Sequence, residues 1–64
     1  MYKRYVIQDL VSGLYWLGFA NEFWWGESVA SAWMFQEKES ADNTITNYAN
    51  KFDGIIVTVI EIYV

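Results

Sequence analysis

Cysteine, histidine and proline are all absent from this chain of 64 residues. Without cysteine there is neither a disulfide framework nor a thiolate zinc site to hold a small fold together. Lacking both Cys and His, the chain is also without the usual nucleophile–base pairs and most transition-metal sites. The serines at 12, 28, 31 and 40 have no imidazole to activate them, and the four scattered glycines form no phosphate-binding loop. An enzyme is not expected, nor is a cofactor.

Positive charge is scarce. Four Lys and Arg stand against eight Asp and Glu, a net charge of −4. Nucleic-acid binding needs clustered basic residues to neutralise phosphates, so no direct contact with DNA or RNA is expected. An acidic chain suits a soluble protein, or one that docks on a basic protein surface. Long apolar runs are missing as well. The longest, GIIVTVIEIYV from Gly54 to Val64, falls far short of the roughly 20 residues a membrane helix requires. The opening MYKRYVIQDL has no apolar core or small-residue cleavage site and does not read as a secretory signal. The expected compartment is the cytoplasm, with no membrane association.

What is present is apolar mass: 55% hydrophobic residues, with four Trp, five Tyr and four Phe. A single domain of this size buries only about 60% of the surface its unfolded chain exposes. Each large aromatic covers roughly 150–250 Å². That stock of rings exceeds what one helix on one sheet would hold, so part of it is expected at an interface.

The terminal run states the problem most sharply. Extended, it puts Ile55, Val57, Val59, Glu61 and Tyr63 on one face and Ile56, Thr58, Ile60, Ile62 and Val64 on the other. Both faces are apolar apart from one polar residue each, so the strand asks for cover on both sides. Tyr2 to Val11 reads as a first strand, Ser12-Gly13 as a turn, and Leu14 to Phe19 as the second arm of a hairpin, with Gly18 marking a bulge or close backbone approach. Glu27 to Ser31 suggests a single helical turn or loop, and Ala32 to Phe35 a short strand. Within Gln36 to Phe52, the residues Ala41, Ile45, Tyr48, Ala49 and Phe52 form one helical stripe, with Gly54 as a left-handed exit. The Asn- and Thr-rich remainder is a poor helix former, so this helix needs a sheet beneath it. The fold expected is a two-layer α+β domain: a three- to four-stranded, mostly antiparallel sheet with the helix on one face. Trp and Tyr are expected to gather on the helix-free face.

Several pieces together resemble small uncharacterised proteins encoded by phages and prophages. They are Tyr5-Val6-Ile7, Trp24-Trp25, Ala32-Trp33-Met34-Phe35, Ala41 beyond it, and the strand Ile55 to Val64. The helix here is Asn/Thr-rich where the family's is usually Glu/Lys-rich. The resemblance implies the same α+β layout. By analogy of size and charge, it suggests an inhibitor or accessory protein that binds a host protein, as anti-CRISPR proteins do.

Candidate sites follow. Phe23, Trp24 and Trp25, flanked by Glu22 and Glu27, form a candidate partner-binding loop, because tryptophan is enriched at interface hot spots. Trp16 and Trp33 are read as core. Glu37, Glu39 and Asp42 at the helix start complement its dipole. They also offer a carboxylate surface to a target, but lack the ligand density of a calcium loop. Glu61 is expected at the sheet edge, or paired with Lys3 or Arg4. Self-association, most simply as a dimer, is assigned to the helix-free face through Tyr15, Leu17, Val57, Val59 and Tyr63. The alternatives are a small ligand- or carbohydrate-binding domain using the Trp loop, and a structural virion component.

Overall fold

The longest ladder in the protein joins its two ends. β1 (Lys3–Asp9) runs antiparallel to β4 (Val57–Tyr63), with Lys3 opposite Tyr63, Val6 opposite Ile60 and Asp9 opposite Val57. Both strands are rich in β-branched residues, which suit a pleated, half-buried surface. The pairing runs on past both strands. Tyr2 and Val64 exchange backbone hydrogen bonds of 2.6 and 2.8 Å, and the Leu10 N–H donates to the Ile56 carbonyl at 2.8 Å. The computed structural model describes residues 1–20 and 24–64.

On the other side of β1 lies β2 (Tyr15–Trp16), followed by β3 (Trp25–Gly26), which gives a four-stranded antiparallel sheet in the order β3-β2-β1-β4. One helix, α1 (Lys38–Asn47), lies against β1 and β4. The protein is thus the small α+β fold that the sequence suggests.

The hairpin turn is organised by Asp9. Its carboxylate accepts the Val11 N–H at 2.9 Å and the Ser12 hydroxyl at 2.8 Å, and its carbonyl accepts the Gly13 N–H at 2.8 Å. The Val11 bond first, and the Ser12 hydroxyl second, favour the ionised form and hold the Asp9 carboxyl below the usual aspartate range.

β2 is shorter than the expected Leu14 to Phe19 because the chain turns away at Gly18, where φ is +98°. Here the close approach is real: a Cβ on Gly18 would sit 3.0 Å from Cε3 of Trp33. The segment 32–35, expected as a strand, comes in alongside β1 where β2 has left. Phe35 exchanges two 2.8 Å backbone bonds with Tyr5, and the Trp33 N–H donates to the Trp16 carbonyl at 3.0 Å. A single bridge results, and Trp25–Gly26 is the third strand instead. A 3₁₀ turn at Val29–Ser31 matches the helical turn expected there.

The helix is also shorter than Gln36 to Phe52. It ends at Asn47, and a 3₁₀ turn at Ala49–Phe52 follows. Thr44 and Thr46 donate their hydroxyls to the carbonyls of Ser40 and Asp42 at 2.9 and 3.1 Å, a local competition that weakens helices. The tighter turn carries Phe52 into the core, where it is buried with Ile7, Trp16 and Ala41. Ile45 packs on this cluster, whereas Tyr48 and Ala49 stay exposed. Gly54 has φ +79°, the left-handed exit.

Alternation along the ladder now assigns the faces. Tyr5 and Ile7 of β1, with Val57 and Val59 of β4, pack toward α1 and the Phe52 turn. Arg4, Val6 and Gln8, with Thr58, Ile60 and Ile62, face the other way.

Two stability predictions follow. Phe52→Ala removes about 3–5 kcal/mol. That is comparable to the whole stability expected for so small a domain, at roughly 0.05–0.15 kcal/mol per residue. Near-UV circular dichroism at room temperature should lose its aromatic signal. For Gly18→Ala and Gly13→Ala, both positions have positive φ, but only Gly18 faces a ring. Urea unfolding should therefore show Gly18→Ala as the more damaging of the two, with each costing about 1 kcal/mol or more.

Candidate functional site

Trp16 is the hub of an aromatic cluster on the helix side of the sheet. Phe19 meets it edge-on at 4.9 Å, Phe52 at 5.8 Å, and Phe35 lies nearly parallel to it at 6.1 Å. Trp24 packs edge-on against Phe19 at 4.8 Å, and Trp25 against Phe52 at 6.1 Å. Edge-on and offset geometries suit the quadrupoles of the rings. The Trp16 indole Nε1 is buried and has no acceptor among the described residues. Beside the hub is an apolar cleft of about 350 Å³, lined by Trp16, Gly18, Phe19, Trp33, Phe35 and Tyr48. It exists because Gly18 has no side chain and the chain folds back there beneath Trp33.

The aromatics therefore collect under the helix rather than on the helix-free face as expected. That second face carries mainly aliphatic side chains, beside Arg4, Gln8 and Thr58. Val6, Leu17, Ile60 and Ile62 lie on it with Tyr15, and Leu17 packs across β3 against Gly26. Exposed apolar side chains flank it at the strand ends: Tyr2 and Val64 at one, Leu10 and Ile56 at the other. Val6, at its centre, is fully buried.

A polar cluster closes the helix-side face near the chain ends. Glu61 accepts the Tyr63 hydroxyl at 3.0 Å and the Tyr5 hydroxyl at 3.4 Å, and Lys3 Nζ lies 3.7 Å from its carboxylate. The pairing of Glu61 with Lys3 is one of the arrangements foreseen for it. Glu61 raises the Lys3 pKa chiefly by its charge, with smaller contributions from Tyr5 and Tyr63. It raises that of Tyr63 chiefly by accepting the phenol's hydrogen bond.

The other sequence candidates fall as follows. Glu22 and Phe23 lie outside the described residues. Trp24 and Trp25 are half-buried with their rings committed to the core, while Glu27 is exposed. Glu37 and Glu39 are exposed, but Asp42 is bound to Lys38 Nζ at 2.8 Å, so the acidic surface at the start of α1 is partly neutralised. That contact, first through the hydrogen bond and then through the charge, raises the Lys38 pKa. Tyr15 and Leu17 belong to the helix-free face. Val57, Val59 and Tyr63 do not: Val57 and Val59 pack on the core, and Tyr63 shares their side of the sheet. Their places on the helix-free face are taken by Ile60 and Ile62. Trp33, read from the sequence as core, is half exposed over Gly18. The part of Tyr48 in the cleft was not foreseen, although Gly18 was the signal that a close approach occurs there.

Among the described residues no group of three acidic, His or Cys side chains could hold a metal ion, and no helix is long and apolar enough to cross a membrane. No family model, curated protein or solved structure matches this chain.

The Glu61 cluster can be tested by titration. A folded-state phenol pKa above the unfolded value contributes stability below the unfolded pKa, and loses it as pH rises through the folded one. In an ultraviolet pH titration, Tyr63→Phe should remove a component that ionises later than an ordinary tyrosine. Glu61→Gln should move that component down. A spectrum unchanged by either substitution would contradict the hydrogen bond.

Proposed function

We propose that this chain is a non-enzymatic protein-interaction module, which docks a partner protein on the helix-free face of its sheet. The observation that carries the reading is the contrast between the two faces. The aromatic side is filled by α1 and the Phe52 turn, whereas the aliphatic side ends in exposed Tyr2, Leu10, Ile56 and Val64. Apolar side chains grouped on one face of so small a domain gain most by burial against another protein. The excess of acid, including exposed Glu27, Glu37 and Glu39, favours a partner with a basic rim. The phage likeness adds the setting: an inhibitor or accessory protein acting on a host protein in the cytoplasm.

A photo-crosslinking residue at position 62, on the docking face, is expected to yield a discrete adduct in host lysate. The same residue at position 47, at the end of α1, should not. An adduct of twice the chain's own mass reports self-association, and equal labelling from both positions defeats the reading. Where the partner is a host enzyme, its activity should fall on addition of the purified chain.

The aromatic cleft supports a second reading, binding of a small planar or sugar ligand between Trp33 and Tyr48. Tryptophan fluorescence titrated with glycans and nucleotides tests it. A saturable change that disappears in Trp33→Ala favours the ligand, and a flat response across the panel removes it.

A further inference from the structure

The sheet has two edges of very different character. At one, β3 is two residues long, Trp25–Gly26. So short an edge offers little to pair with. At the other, β4 runs for seven residues, Val57–Tyr63, without a glycine, a proline, a lysine or a bulge. Natural proteins blunt long edges with proline, bulges and charged side chains, lysine above all, and of these β4 carries only Glu61.

The register determines which backbone groups that edge presents. Tyr2 bonds Val64 and Leu10 bonds Ile56, so the even-numbered residues of β4 direct their N–H and C=O groups inward to β1. The odd-numbered residues Val57, Val59, Glu61 and Tyr63 point theirs outward. Among the described residues, none of these outward groups is bonded to another part of the chain.

We propose that the outer edge of β4 pairs antiparallel with β4 of a second copy of this chain, about a two-fold axis through Ile60. This axis engages every outward residue on both copies, Val57 with Tyr63 and Val59 with Glu61. An axis at Glu61 would set two carboxylates directly opposite each other, which is unfavourable. An axis at Val59 would leave Tyr63 beyond the end of the other strand. On the aliphatic face, Ile60 meets its own counterpart, and Thr58 meets Ile62. These are the β-branched cross-strand contacts that stabilise sheets. The one charge on the strand is already answered within its own subunit by Lys3, Tyr5 and Tyr63. Glu61 is therefore not a free charge guarding the edge. Pairing makes one continuous sheet and joins the two aliphatic faces side by side. The inference uses the edge and not the face, so it holds or fails independently of what docks on the helix-free side.

Because the chain has no cysteine, single substitutions map the register directly. Across the axis the two positions 60 form a non-hydrogen-bonded pair with Cα atoms about 4.5 Å apart. A disulfide spans that distance. Under mild oxidation Ile60→Cys should convert to a disulfide dimer. Thr58→Cys and Ile62→Cys should each stay uncrosslinked alone and should crosslink to each other when mixed. Light scattering of the unmodified chain should give twice 7.5 kDa at high concentration. Thr58→Lys, a charged guard on the edge, should return it to the single-chain mass with its circular dichroism unchanged. A chain that remains monomeric through the concentration series overturns the proposal. So does Ile60→Cys crosslinking no faster than Asn47→Cys, or a Thr58→Lys variant that keeps the dimer mass.

Discussion

Tyr2 to Leu10 must find Ile56 to Val64 across almost the whole chain, and the β1–β4 ladder they make is the contact on which the rest of the structure depends. Closing so long a loop is entropically costly, and no disulfide is present to lower that cost. The ladder therefore has to be held from its face. Ile7, Val57 and Val59 supply that hold by packing under the helix side together with Ala41 and Phe52. The helix, in turn, could not persist alone with its Asn and Thr content, and it exists because the ladder offers a surface.

From this dependence comes the asymmetry of the molecule. Aromatic rings fill the helix side around Trp16, and aliphatic residues line the other. Rings bury more area per residue than aliphatic chains, so a short helix with few large residues of its own leaves room that rings must fill. Phe19, Trp24 and Phe35 come from loops and strand ends to do so. The loops of this protein are thereby part of its core. A half-exposed Trp33 over Gly18 is the outer boundary of that packing, and the cleft beside it is a by-product of the same turn.

Much of the layout was legible in the chain: the Ser12-Gly13 turn, the special role of Gly18, Trp16 as core, the Ala41–Ile45 stripe, the Gly54 exit and the strand that follows. Each rests on local chemistry, where a residue type answers a backbone or periodicity requirement within a few positions. Where the structure departs from the local pattern, the cause is competing contacts within the chain. A 3.6-residue periodicity extends to Phe52, but the Thr hydroxyls and the Tyr48 backbone shorten the helix, and a 3₁₀ turn delivers the same Phe52. The strand at Ala32 to Phe35 became a single bridge because its partner site is only the short stretch of β1 that β2 vacates.

By itself, the order of residues determined that the run after Gly54 holds a strand, Val57–Tyr63, with two largely apolar faces, and that no cysteine or histidine chemistry is available. It also determined that Glu61 shares a face with Val57 and Val59. Only the tertiary structure decided which of those faces the helix takes, and which edge of the sheet is left long and open. Alternation specifies sides only relative to each other. The choice between them belongs to residues distant in the chain, Ala41 and Phe52 above all, whose packing against Ile7 and Trp16 makes one side of the sheet the one that the helix covers.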